Sequence, residues 1–199
     1  MLQMGRKRRK SYSTRNNYKY FAKRCSDGNY TGVSTITGYD FEIVEECLET
    51  LNRKKQFGEY ENCGIIFGSQ ITERKIRINA ISESCSIKTS AHECSCNLDI
   101  VKANQLIVEE FEKSNHTRFY LGEWHTHPED YPSPSYQDLK SLRESYNKNK
   151  LVIPNLILMA IIGRKDICWK VYDGKEFNNI KMVDKHHLIK NKNSDEQLQ

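Results

Sequence analysis

Residues 121–138 read LGEWHTHPEDYPSPSYQD, and this stretch determines the fold expected for the whole chain. An apolar run precedes the histidines and predicts a strand, in which residues i and i+2 lie on the same face. His125 and His127 can therefore contact one common object. Ser135 begins a predicted helix, because polar residues at this point are followed by helix formers. Ser135 and Asp138 are then i and i+3 neighbours on one face of that helix.

His125, His127 and Asp138 together predict a zinc site. Two imidazoles and one carboxylate are three protein ligands, which leave the fourth position of a tetrahedral Zn2+ for water. Structural zinc sites instead use four protein ligands, so this set indicates catalysis. Zinc lowers the pKa of water toward about 7 and polarises a carbonyl group, as hydrolysis requires. The Ser135 hydroxyl, one helical turn from Asp138, is placed to donate to the oxyanion of such a reaction.

The pattern H-x-H-P, then six residues, then S-x-x-D resembles the signature of the JAMM metalloproteases, also called MPN+ or JAB-domain proteases. In that family a Glu lies well upstream, just before a glycine-bearing apolar strand, and Glu61 in the sequence ENCGIIFG matches it. The resemblance implies that Glu61 is the general base, which takes a proton from water and gives it to the leaving amine. Glu59 lies close by and is the alternative base.

The residues around the histidines narrow the resemblance. Gly122, Glu123, Trp124 and Glu129 resemble those of a bacterial subgroup, the deconjugating protease encoded in anti-phage CBASS operons beside a cGAS-like nucleotidyltransferase. The resemblance implies an isopeptidase that releases this nucleotidyltransferase from a target to which its C-terminus is conjugated. The extended tail of the substrate is expected to add as a strand beside a hairpin at residues 63–82. A deconjugase of a bacterial ubiquitin-like or sulfur-carrier protein is the alternative within hydrolases.

The positive charge of the chain is concentrated at its N-terminus. The formal net charge is +5, and residues 1–24 hold nine Lys or Arg residues and no acid, so the remainder carries −4. Such a block attracts nucleic acid or an acidic partner, and weak nucleic-acid contact through residues 6–24 is one expectation. A solvated arm without a defined partner is the alternative. A catalytically silent interaction module with this arm is the alternative outside enzymes. The expected division is a basic arm and linker at 1–38, a JAMM domain at 39–176 and a polar tail at 177–199.

The seven cysteines are an odd number without the spacing of a disulfide framework. Since the basic N-terminus lacks the apolar segment of a secretory signal, reduced thiols in a cytoplasmic protein are expected. No apolar run reaches the roughly 18 residues of a membrane span. Residues 83–97 contain Cys85, His92, Cys94 and Cys96, and C-x-C is poor zinc-ligand spacing. A second zinc site, a thiolate cap on the catalytic metal and a substrate-facing loop all remain open for this segment.

Periodicity predicts three helices among β-rich segments. The helices are expected from Asp40 to Lys54, from Leu98 to Lys113 and from Ser135 to Tyr146. The second of these has Asn97 as its N-cap and Ile100, Ala103, Ile107 and Phe111 facing inward. Strands are expected at 63–67, 72–82, 118–124, 155–162 and 167–172, with a turn at Gly68–Ser69. The predicted fold class is α+β, with a mixed, mostly antiparallel sheet flanked by helices, and this agrees with the fold that the resemblance implies.

Overall fold

The computed structural model describes residues 30–34, 38–55, 61–87, 96–149 and 155–183. The strands in these ranges are β1 (Tyr30–Ser34), β2 (Asp40–Val44), β3 (Cys63–Thr72), β4 (Lys75–Ile81), β5 (Ser86–Ile87), β6 (Asn97–Leu98), β7 (Phe119–Thr126), β8 (Ile157–Ile162), β9 (Ile167–Tyr172) and β10 (Phe177–Val183). The helices are α1 (Glu45–Arg53), α2 (Ile100–Lys113) and α3 (Tyr136–Asn149).

Eight strands form one closed sheet in the order β1-β10-β9-β8-β7-β3-β4-β2, and β5 and β6 form a separate two-stranded sheet. The pairs β2–β4 and β7–β8 are parallel, and the other neighbours are antiparallel. This confirms the predicted α+β class and its mixed, mostly antiparallel sheet. The hairpin of β3 and β4 has β7 on one side and β2 on the other, so the expected addition of a substrate strand beside residues 63–82 is wrong.

The parallel pair β7–β8 brings distant residues together. Parallel neighbours need a crossover connection, and here α3 provides it between the two strands. The crossover places the N-terminus of α3 beyond the carboxyl end of β7, where His125 and His127 lie. Residues that are ten or more positions apart in sequence therefore meet at one end of the sheet.

The core has two layers, one on each face of the sheet. All six residues of β8 are buried, as expected for a continuous apolar run. Its even-numbered residues join a cluster that includes Cys47 and Leu51 of α1. Its odd-numbered residues join a second cluster that includes Ala103 of α2 and Leu142 of α3. The second cluster forms the floor beneath the candidate site.

Two of the predicted boundaries near the N-terminal half are wrong. The helix expected from Asp40 begins only at Glu45, because residues 40–44 form β2 and bury Phe41 and Ile43 beside β4. The turn expected at Gly68–Ser69 lies instead at residues 73–74. Gly68 is inside β3 at a register shift, where an added Cβ would be 2.2 Å from the carbonyl oxygen of Arg77.

The second helix begins later than predicted and is rotated. Asp99 is its N-cap, since the Asp99 carboxylate accepts the backbone N–H of Lys102 at 3.0 Å, and residues 97–98 belong to β6. Ala103 and Ile107 face inward as predicted. Ile100 and Phe111 are instead 62% and 39% exposed, which corrects the predicted inward face.

The sheet extends past both limits expected for the domain. β1 lies before residue 39 and β10 continues past residue 176, and these two strands pair with each other. Their pairing is what closes the sheet. The basic segment 6–24 and the residues Glu59, His92 and Cys94 lie outside the described residues. No helix in the described ranges has both the length and the apolarity needed to cross a membrane.

Candidate metal centre

A bulge in β7 sets which residues face the site. The β3–β7 register pairs Ile66 with Gly122 and Phe67 with Tyr120, so Leu121 is an extra residue between two paired positions. The bulge shifts the alternation of β7, and Tyr120 and Glu123 consequently lie on one face, where the Tyr120 hydroxyl donates to Glu123 at 2.8 Å. Side chains at every second position after Glu123 face the same way. The two histidines of the motif therefore point toward α3.

His125, His127 and Asp138 converge as predicted. The Nε2 atoms of the two histidines are 3.1 Å apart. One Asp138 oxygen lies 3.5 Å from Nε2 of His125, and the other lies 3.6 Å from Nε2 of His127. One ligand atom from each of the three residues lies within 4.8 Å of the other two. In the part of the chain that the structure describes, these three side chains form a cluster that could hold a metal ion.

The N-terminus of α3 holds Asp138 in place. The backbone N–H of Ser135 donates to Asp138 Oδ2 at 2.6 Å, and the backbone N–H of Asp138 donates to Ser135 Oγ at 3.2 Å. This reciprocal pair is a capping arrangement that satisfies two backbone donors at the helix start. It orients the carboxylate toward the histidines. Because Ser135 Oγ accepts in this pair, its own hydroxyl proton remains available to another acceptor.

The cluster suits a zinc ion chemically. Burial, aided by the neighbouring His127, lowers the pKa of His125 to about 4 against the opposing charge of Asp138, so this imidazole is neutral at pH 7. A neutral imidazole offers the lone pair that a metal requires. Two nitrogens on a tetrahedral zinc at about 2.0–2.1 Å would lie about 3.3 Å apart. The observed separation of 3.1 Å is close to that value.

Glu61 lies beside the cluster. It lies two residues before the start of β3, and its Oε1 atom is 3.9 Å from Nε2 of His127. Burial raises the pKa of Glu61 above its usual range, and Asp138 and Glu129 add to this, whereas His127 and the backbone N–H of Cys96 lower it. The carboxylate is therefore close to the histidines while remaining outside the group of three.

Cys63 and Cys96 form a disulfide, so the expectation of reduced thiols is wrong for this pair. The two residues are 33 positions apart, and Cys63 opposes His125 in the β3–β7 register. No spacing in the sequence indicates this bond, because it depends on how the chain folds back. Cys85 is free and fully buried, and in the described ranges the candidate metal ligands include no cysteine.

Glu123 also lies at the site, although the sequence predicted no role for it there. It is half-buried, and its Oε1 atom accepts hydrogen bonds from Tyr120 at 2.8 Å and Ser145 at 3.3 Å. Burial raises the pKa of Glu123, and both hydrogen bonds oppose the shift. Its position two residues before His125, on the same face, is the signal that identifies it as part of the site.

All five predicted site residues line one cavity of about 620 Å3, together with Cys63, Cys96 and Leu98. The cavity lies between the start of β3, the end of β7, the N-terminal half of α3 and β6. The lining combines the polar side chains of the cluster with the apolar side chains of Leu142 and Met159.

A family model and two curated relatives match this chain. The model of a family described as prokaryotic homologues of the JAB domain matches residues 48–176. A CD-NTase/cGAS isopeptidase of Escherichia coli strain TW11681 is 43% identical over 75 residues, which are 38% of this chain and 42% of that protein. A protein of the same name from Vibrio cholerae serotype O1 is 37% identical over 106 residues, which are 53% of this chain and 64% of that protein.

The matched segments thus span about half the length of these two curated relatives. Among solved structures, the solution structure of a protein from Desulfitobacterium hafniense aligns with a TM-score of 0.43 and 16% identity. It covers 69% of this chain and 87% of that chain.

Proposed function

The chain belongs to the family of prokaryotic homologues of the JAB domain, and from this premise we propose that it is a zinc-dependent isopeptidase. Its substrate is a protein conjugated through an extended C-terminal tail, and the bond cleaved follows that tail. A cGAS-like nucleotidyltransferase is the proposed conjugated protein, because two relatives are named CD-NTase/cGAS isopeptidases. The observation that carries the proposal is the convergence of His125, His127 and Asp138 beside Glu61 in one cavity.

The residues of the site have distinct roles in this proposal. His125, His127 and Asp138 hold the zinc ion, which when bound polarises the scissile carbonyl and makes water more acidic. Glu61 accepts the proton of the attacking water at its carboxylate and returns it to the leaving nitrogen. Its raised pKa supports this exchange, because a general acid–base group works best when its pKa approaches the working pH. The free hydroxyl proton of Ser135 donates to the oxyanion.

The small sheet of β5 and β6 is the proposed docking edge for the tail. β6 pairs with β5, and in the described ranges its other edge has no strand partner. Asn97 and Leu98 of β6 line the cavity, so a peptide added along this edge would lead into the site. Main-chain hydrogen bonds would supply affinity, and alternate side chains would supply specificity.

The test compares wild type with Glu61→Gln. Both are assayed for zinc content and for cleavage of a conjugate that carries the C-terminal tail of a CD-NTase. Glu61→Gln should keep zinc and lose about 10²–10⁴-fold in kcat, the range typical of a general acid–base group. Glu73→Gln, at the exposed turn between β3 and β4, is the matched control for loss of one carboxylate.

The outcomes separate the candidate functions. If wild type holds no zinc, the metal centre is refuted. If wild type holds zinc but leaves the CD-NTase conjugate intact, the proposed substrate is refuted, and a ubiquitin-like conjugate is the next substrate to assay. A zinc-loaded protein that cleaves neither conjugate would be an interaction module rather than an isopeptidase.

A further inference from the structure

The disulfide between Cys63 and Cys96 lies beside Glu61. Glu61 is two residues before Cys63, the first residue of β3. Cys96 lines the same cavity as Glu61. The disulfide therefore connects the start of β3, next to the proposed base, to another segment of the cavity wall. Both cysteines line the cavity of the metal centre.

In the described ranges, few backbone hydrogen bonds hold the Cys96 segment. β6 consists of two residues, which pair with two residues of β5. The backbone N–H of Asp99 donates to the carbonyl of Cys85, and the N–H of Cys85 donates to the carbonyl of Cys63. Two-residue strands are marginal by themselves, since short hairpins have little stability in water. A covalent bond at Cys96 is thus a major constraint on the position of its amide.

We infer that Cys96 is a positioning residue for Glu61 and that the thiol–disulfide state of Cys63 and Cys96 controls the proposed hydrolysis. The inference rests on the proposed function. In the oxidised protein the Cys63–Cys96 bond fixes the cavity wall beside Glu61, whose Oε1 atom lies 3.9 Å from Nε2 of His127. In the reduced protein the segment at Cys96 is released from β3, and Glu61 loses this fixed wall.

The reductant in this inference is a dithiol. One thiolate of the dithiol attacks the Cys96 sulfur, which is the more exposed of the two because Cys63 is only 5% exposed. A mixed disulfide forms, the Cys63–Cys96 bond breaks, and Cys63 leaves as a thiolate that takes a proton. The second thiol of the dithiol then displaces Cys96. Two electrons and two protons pass to the protein, and the reductant becomes a cyclic disulfide.

The first test measures kcat, KM and zinc content, well below the unfolding temperature, for oxidised and dithiol-reduced protein and for the double variant Cys63→Ser/Cys96→Ser. Misplacement of a catalytic group by about 1 Å can cost about 10²-fold in rate, so loss of the fixed wall beside Glu61 predicts a fall in kcat of about tenfold or more in the reduced wild type and in the double variant. Zinc content should equal that of oxidised wild type in every sample. The control variant Cys168→Ser should respond to the reductant as wild type does. Reoxidation should restore kcat in wild type alone.

A second readout does not depend on catalysis. Amide hydrogen exchange of residues 96–98 should be about tenfold faster in the reduced protein and in the double variant than in the oxidised protein, because a local constraint has been removed. Should the double variant not fold, the comparison of oxidised with reduced wild type tests the same statement.

The two readouts distinguish the inference from the function on which it rests. If oxidised wild type cleaves no conjugate, the proposed function fails. Separately, if amide hydrogen exchange at residues 96–98 does not change on reduction, the disulfide does not hold the Cys96 amide. If oxidised and reduced proteins cleave with the same kcat, the control by Cys63 and Cys96 is refuted while the isopeptidase stands.

Discussion

Replacing Gly122 by alanine should separate β7 from β8 and disturb the strand that carries both histidines. Gly122 has a φ of +154° and lies at the bulge of β7. A Cβ atom at this position would lie 1.9 Å from the carbonyl oxygen of Leu158 in β8. That neighbour is backbone of a fully buried strand, so it cannot rotate out of the way. The two parallel strands must therefore move apart.

Two effects add in the expected loss of stability. A residue other than glycine in this region of φ costs about 1–3 kcal/mol. Forcing extra volume into a packed interior costs about another 1–3 kcal/mol. Together they predict a loss of about 4 kcal/mol in the free energy of unfolding, which for a protein of this size lowers the midpoint temperature by about 8–16 °C.

Gly38→Ala is the matched control. Gly38 has a φ of +78°, but among the described residues a Cβ there would meet only Arg74 Nη1 at 3.7 Å, so this variant has the backbone strain without the clash. Thermal unfolding followed by circular dichroism, and zinc affinity measured by competition with a chelator, would be compared for the two variants. Gly122→Ala should be the less stable by about 2 kcal/mol and should bind zinc more weakly. Equal losses of stability in the two variants would refute the argument from close approach of β7 and β8.

Three further predictions concern single groups. Ser135→Ala should lower the free energy of unfolding by about 1 kcal/mol through loss of the N-cap of α3, and lower kcat by about 10²-fold through loss of the oxyanion donor. Ser135→Thr should retain both the N-cap and the donor. Urea unfolding and steady-state kinetics check these two effects. Burial, with Glu46 nearby, raises the pKa of Cys47 from 9.0 to about 12, so its contribution to stability is complete below pH 9 and is lost as the pH rises toward 12. Cys47→Ala should therefore show a flatter decline of the urea midpoint over that pH range, and a parallel decline would contradict the assignment. Reduction of the Cys63–Cys96 bond, which closes a loop of 33 residues, should lower the free energy of unfolding by about 3–4 kcal/mol, while Cys63→Ser/Cys96→Ser should be insensitive to reductant in the same unfolding assay.

The elements that sequence patterns predicted best are those whose burial is locally periodic. β8 and β9 follow directly from an apolar run and an alternating run, and β9 has the predicted bounds. Where a segment fits both the helical and the strand periodicity, the sequence pattern does not decide between them. Residues 40–44 continue the stripe of a helix, yet they form β2 because Phe41 and Ile43 gain full burial beside β4. That gain depends on a partner strand distant in sequence.

The sequence by itself determined the candidate ligands and their local arrangement. His125 and His127 share a face because strand side chains alternate, and Ser135 and Asp138 meet because helix positions i and i+3 are neighbours. These relations need no knowledge of the rest of the chain. The reciprocal hydrogen bonds between Ser135 and Asp138 follow from these local rules. The approach of Asp138 to the histidines needs only one more element, the crossover from β7 through α3 to β8.

Only the tertiary structure decided what surrounds these ligands. Glu61 lies 3.9 Å from His127, and Cys63 is bonded to Cys96, although both pairs are distant in sequence. The bulge that turns Glu123 toward the site likewise depends on the pairing of β7 with the distant strand β3. Their positions depend on the register of β3 against β7 and on closure of the sheet through β1 and β10. Register is chosen by the packing of both faces at once, so local periodicity alone does not contain it.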